Sequence, residues 1–296
     1  MGGNAGSGVG GTSNDSGVPD APMGCQACDS YGDPVSMGLF AGPLVTGLTG
    51  LAASTKRPGM FFGHSGAAGS ARFFGFDGSG QTYVQFALDG ANFDDCEDLA
   101  VGPCPAGTCL YFGDVGDKTK SRATIRILRV AEPDTWPAAN GGSASVVWQQ
   151  FDFTYEDGPR DAQTVLVHPQ TGDLYVVSRE PVGASHIYRT APLTIPSASP
   201  VQLMKLGEWT APSGSGEVTG GSIHPCSERI LLRTYNRVWE LRANGGDFST
   251  IWGTTPIAAP SPAETEARTA AYLNDGTGYV TTSAYGPPEL HGVGCK

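Results

Sequence analysis

A chain of 296 residues, 39% of them hydrophobic, can bury a large core, and 43 glycines and 22 prolines without any long run of helical period favour strands and turns. A net charge of −11, with only 18 Lys plus Arg and no basic cluster, excludes a surface that neutralises several phosphates of a nucleic acid. No apolar run approaches the length of a membrane-spanning helix, so no transmembrane segment is expected.

In chain order, residues 1–30 read as a disordered Gly/Ser-rich tether carrying the motif CQAC, and residues 31–296 as a single domain. The tether is similar to the stalk that follows the lipidated Cys of bacterial lipoproteins, which implies a lipid anchor ahead of Met1; an arbitrary tail is the alternative reading. An orphan strand, SMGLFAG (36–42), comes next. Four groups of four short apolar strands follow, at 46–89, 96–153, 162–209 and 218–253, and a fifth group of three at 269–295. Each group opens on a strand rich in small residues, turns at Pro, Gly or Asp, and returns through β-branched and aromatic residues.

This repeat predicts an all-β, five-bladed β-propeller of four-stranded antiparallel blades. The orphan strand completes the last blade and closes the ring. Long insertions near 131–145 and 190–200 leave six blades as the alternative.

Seven cysteines without a second Cys/His pair at zinc spacing read as disulfides of an oxidising compartment. Cys104 and Cys109 flank one hairpin and are expected to bond. Either Cys25 or Cys28 is expected on Cys295, with Cys226 taking the other, which leaves Cys96 free. Localisation is accordingly read as extracellular, cell-surface or periplasmic.

Aligning the inner strands places Thr49, Glu97, Gln163, Thr219 and Arg268 around an axial tunnel, with Asp95, Asp161, Glu217 and Glu266 just before them. The second strands end at His64, Asp114, Arg179, Tyr235 and Ser283 on the same face. The expected ligand-binding set is Asp95, Asp114, Asp161, Gln163, Tyr235 and Arg268, a funnel for a protein, small-molecule or glycan partner. His64, Glu97, Asp98 and Arg179 are the catalytic candidates. No GxSxG elbow between a strand and a helix is present, so a Ser/His/Asp triad is not assigned.

The segments DCEDLAVGP (95–103), YFGDVGD (111–117), LRVAEP (128–133), DAQTVLVHP (161–169), TGGSIHP (219–225), ILLRTY (230–235) and EARTAAYLNDG (266–276) occur in that order. Together they resemble a family of bacterial secreted propellers, with motifs such as DWEDIAVGP, YVGDIGDN and TGGDISPDG, distantly similar to phytase-like and paraoxonase-like calcium propellers. The resemblance spans about residues 45–285 and implies an axial Ca²⁺ on carboxylates, here Glu97 and Asp98. It also implies a calcium-dependent hydrolase of phosphate esters or lactones. This chain departs from that pattern: the acidic ring survives as Glu97 but becomes Gln163 and Arg268, and HND becomes His64-Ser65-Gly66. A guanidinium in place of an anionic ligand is expected to pair with Glu97 or Asp98 and to do the work of the cation. The leading reading is therefore a degenerate metal site in a ligand-binding or structural module, with the hydrolase as alternative.

Overall fold

The computed structural model describes residues 24–43, 47–212, 217–285 and 287–296. The tether expected over 1–30 lies outside the described residues as far as residue 23. Strand β1 (Val35–Leu39) precedes a first meander of β2 (Gly50–Ala53), β3 (Met60–His64), β4 (Gly69–Asp77) and β5 (Tyr83–Phe93). The second meander runs β6 (Cys96–Cys104), β7 (Gly107–Asp114), β8 (Ile125–Ala131) and, after a short β9 (Ser143–Ser145), β10 (Trp148–Tyr155). The third is β11 (Ala162–Val167), β12 (Leu174–Ser178), β13 (Ser185–Thr190) and β14 (Val201–Trp209). The fourth is β15 (Val218–Ile223), β16 (Arg229–Thr234), β17 (Val238–Arg242) and β18 (Ile257–Ala259). The last holds β19 (Ala267–Tyr272), β20 (Gly278–Ser283) and β21 (Glu289–Gly294), and β1 pairs antiparallel with β21.

The first strands touch in a cycle, β2 to β6 to β11 to β15 to β19 and back to β2, and each is the terminal strand of its meander. Close approach explains why these strands are built from small residues. A Cβ on Gly220 would lie 2.1 Å from the carbonyl oxygen of Arg268 on the neighbouring strand. Farther from the axis the space between meanders widens and larger side chains fill it. Phe62, Phe73, Phe86 and Phe112 pack between the first and second meanders, and Tyr111, Phe153, Val165 and Tyr188 between the second and third. Tyr175, Ile230 and Trp239 fill the next space, Tyr272 and Tyr279 the one after it, and Phe61, Phe76 and Val280 join the last meander to the first. These rings are buried, and their burial is the main favourable term holding the sheets face to face.

Three features differ from the sequence reading. Phe153–Tyr155 of β10 pairs in parallel with Val201–Leu203 of β14, so the second and third meanders share one eight-stranded sheet. The insertion at 131–147 supplies β9, which adds a fifth strand in parallel to β5. Residues 247–253, read as a fourth strand, form a 3₁₀ turn at Phe248–Gly253, and β18 takes the strand position instead. The physical reason is a local cap: Asp247 accepts a bond from the Ser249 N–H, and apolar Phe248, Ile251 and Trp252 then fall on one side of a helical turn.

Disulfides join Cys25 to Cys226, Cys28 to Cys295 and Cys104 to Cys109, and Cys96 is an unpaired, buried thiol. Three such bonds are those of a chain kept under oxidising conditions. The first two hold residues 25–28 against the fold, and the Gln26 N–H donates to Asp275 O at 2.9 Å, so the end of the segment assigned to the tether is structured. Among the described residues no helix is long and apolar enough to cross a membrane.

Cys28–Cys295 closes 267 residues and Cys104–Cys109 only 5. Even with Cys25–Cys226 shortening the larger loop, removing Cys28–Cys295 as a double Ala variant should cost about 2 kcal/mol more than removing Cys104–Cys109. Urea midpoints of the two variants test this ordering.

Candidate functional site

Every inner strand has one edge paired within its meander and one edge turned to the axis. Main-chain groups on those inner edges lack a sheet partner and need another. Side chains of neighbouring strands meet much of that need. Asp98 accepts from the Leu99 N–H at 2.8 Å and from the Val165 N–H of β11 at 2.9 Å. Thr49 Oγ1 donates to Cys96 O at 3.3 Å, Thr219 Oγ1 donates to Ala267 O at 2.9 Å, and Ser222 Oγ accepts from the Tyr272 N–H at 2.9 Å.

At the strand-start end of the axis the expected residues do meet. Arg268 Nη1 lies 3.0 Å from Glu97 Oε2, linking β19 to β6 past the intervening β2, and Gln163 Nε2 of β11 donates to Glu97 Oε1 at 3.3 Å. Glu266 is 3.5 Å from the same guanidinium, which sits 5.7 Å from the centre of the Tyr235 ring. Beside it, Arg179 donates to Asp161 Oδ2 through Nε at 3.1 Å and Nη2 at 3.0 Å, and reaches Glu217 at 3.3 Å. The other Asp161 oxygen accepts from the Asp117 N–H at 2.9 Å. Burial raises the Glu97 carboxyl to about 7 against the pull of Arg268, with Asp95 and Asp161 adding to the rise. Burial and Asp161 likewise raise the Asp95 carboxyl.

Three candidates have their polar atoms engaged within the fold. His64 is fully buried, 3.6 Å from Cys96 Sγ and 3.4 Å from Thr49 Oγ1, and packs on Phe93 and Phe112. Burial lowers its pKa and favours the neutral imidazole. Asp114, also fully buried, accepts from the Asp94 and Asp95 N–H groups at 3.0 and 2.7 Å and from Arg126 Nε at 2.7 Å. It fixes the entry to β6. Asp98 spends both oxygens on main-chain N–H groups.

These atoms do not fit the calcium ion that the resemblance implies, which needs several free oxygens. Glu97 already receives a guanidinium and an amide, and each Asp98 oxygen already takes a main-chain N–H. Cys25, His224 and Cys226 form the one cluster of metal-ligating residue types among the described residues, but its two sulfurs are bonded to each other.

The opposite, strand-end half of the axis is hollow. A cavity of about 430 Å³ is lined by Leu51, Leu99, Val101, Val167, Ile223 and Ala271, so all five inner strands contribute to it. Sequence reasoning placed the ligand at the strand starts and missed this cavity. Its strand residues are ordinary core types and its polar members, such as Lys56, Gln170 and Asn274, sit in turns, so the only signal was the small-residue strand ends themselves.

No family model matches the chain, and no curated protein matches it. Among solved structures it is similar to a chain of a nidogen/laminin complex, at 11% identity and TM-score 0.46 over 80% of this chain and 72% of that one. U3-55K is similar at 8% identity and TM-score 0.44 over 88% and 98% of the two chains. An oxidoreductase (glucose dehydrogenase) structure from Thermus thermophilus is similar at 13% identity and TM-score 0.49 over 89% and 100%.

Two outcomes follow from the hub. Asp98→Ala leaves two buried N–H groups unpaired and should cost about 2–4 kcal/mol in urea unfolding. The Glu97 carboxyl holds its proton more tightly folded than unfolded, so its contribution to stability is present in acid and lost as pH rises through about 7. The urea midpoint of the unmodified protein should therefore fall relative to that of Glu97→Gln between pH 5 and pH 8.

Proposed function

We propose that the chain is a five-bladed β-propeller, sealed by its N-terminal strand, that serves outside the cytosol as a non-catalytic binding module with a degenerate central metal site. The observation that carries this reading is the division of the axis. At one end Arg268 stands 3.0 Å from Glu97, and at the other a cavity of about 430 Å³ is open to a ligand. A fixed guanidinium pairs with the carboxylate that would otherwise attract a divalent cation, so the ring keeps its electrostatic tie without an ion. The cycle of inner strands and the pairing of β1 with β21 support the five-bladed assignment, and the three disulfides support an extracellular, surface or periplasmic setting. The ordered motifs resembling calcium propellers fit the same reading, with the chemistry lost where Gln163 and Arg268 replace acids.

Thermal unfolding in millimolar CaCl₂ and in EGTA tests this. The expected outcome is one Tm for the unmodified protein in both buffers and, for Arg268→Glu, a Tm that rises with Ca²⁺. Calcium-dependent stabilisation of the unmodified protein, together with turnover of phosphate esters or lactones, would overturn it in favour of the hydrolase.

A further inference from the structure

We infer that the strand-end cavity is a site for an uncharged, largely hydrocarbon small molecule. The inference deepens the binding-module reading and rests on it. A volume of about 430 Å³ is in the range that encloses small ligands. Much of its wall is aliphatic, with Leu51 of β2, Leu99 and Val101 of β6, Val167 of β11, Ile223 of β15 and Ala271 of β19, and Thr55, Lys56, Gln170, Ser222 and Asn274 also line it.

Four of the polar side chains that line it, Thr55, Lys56, Ser222 and Asn274, have hydrogen-bond partners within the fold. Lys56 Nζ lies 2.6 Å from Asp134 and donates to Glu132 O at 2.8 Å, while the Thr55 hydroxyl donates to the Glu132 carboxylate. Asn274 Nδ2 donates to Thr55 O at 3.3 Å, and Ser222 Oγ takes the Tyr272 N–H at 2.9 Å. A charged ligand would lose its hydration on entering and find its counter-charges already paired. An apolar body loses nothing and gains contact with five strands. The hub pair of Glu97 and Arg268 belongs to the other ends of these strands, so the charged hub and the cavity lie at opposite ends of the axis. Thr108 and Gln170 in the lining can meet a hydroxyl or carbonyl, which admits a neutral amphiphile such as a medium-chain alcohol.

The test uses the full chain and N-phenyl-1-naphthylamine, a neutral apolar fluorophore. Saturable enhancement at one probe per chain is expected, and 1-octanol should displace the probe about tenfold better than octanoate at pH 8. Ile223→Trp and Asn274→Trp narrow the cavity and its mouth and should each weaken the probe about tenfold. Met37→Asp, on the exposed face of β1, should leave binding unchanged. Far-UV circular dichroism and Tm of each variant confirm that it is folded, and the octanol and octanoate comparison needs no variant. Absence of saturable binding overturns the inference, as does equal competition by octanoate, or loss of binding in Met37→Asp with both Trp variants unaffected. None of these results changes the calcium test above, so the two readings fail separately.

Discussion

Inner strands with one unpaired edge each converge on a common axis, and their main-chain polar groups must be satisfied there without a sheet partner. Much of the architecture follows from this demand. Asp98, Thr49, Thr219 and Ser222 each reach a main-chain atom of a neighbouring inner strand, so the same bonds that satisfy the edges also fasten adjacent meanders. Asp114 and Asp161, just ahead of β6 and β11 in space, each combine main-chain N–H groups with arginines: both Asp114 oxygens take one of each, while Asp161 takes the Asp117 N–H on one oxygen and Arg179 on the other. Glu132 repeats the pattern at the opposite end, accepting from the Thr55 and Lys56 N–H groups of the first meander at 2.9 and 3.2 Å.

Once carboxylates are committed in this way they carry a charge problem, which the arginines resolve. Arg179 spans Asp161 and Glu217, and Arg268 spans Glu97 and Glu266. The pairing accounts for a hub rich in acids that still offers few free oxygens. It also separates roles along the axis, because the arginine–carboxylate ties of the hub lie at the strand starts and the cavity lies at the strand ends. A second buried ion pair, Arg233 with Glu264 at 2.9 Å, lies between the fourth and fifth meanders, and the ILLRTY segment gave no hint of it.

The meanders were legible because alternation and turn residues repeat, and so was the meeting of Glu97, Gln163 and Arg268, since strand register alone sets which residues share a level. What an atom does at that level was not legible. His64, Asp98 and Asp114 have the right positions for a funnel, yet their polar atoms face a thiol or main-chain N–H groups, and such partners leave no trace in residue type. Residues 247–253 were misread because Phe248, Ile251 and Trp252 satisfy either period over so short a stretch, and the Asp247 cap decided between them. The joining of β10 to β14 depends on two outer edges happening to meet, which no local pattern encodes.

The pairing of β1 with β21 has a bearing on biosynthesis. The partner of Val35–Leu39 is made only when residues 289–294 emerge, and the thiol of Cys28 must wait for Cys295. Contacts of such sequence separation are slow to form, so a nascent chain carries an open strand edge and reactive sulfhydryls throughout its synthesis. Until Cys295 is out, β1 has no strand to pair with and Cys28 no sulfur to meet, and Cys25–Cys226 is the one covalent tie among the described residues that can already hold the N-terminal segment to the growing fold.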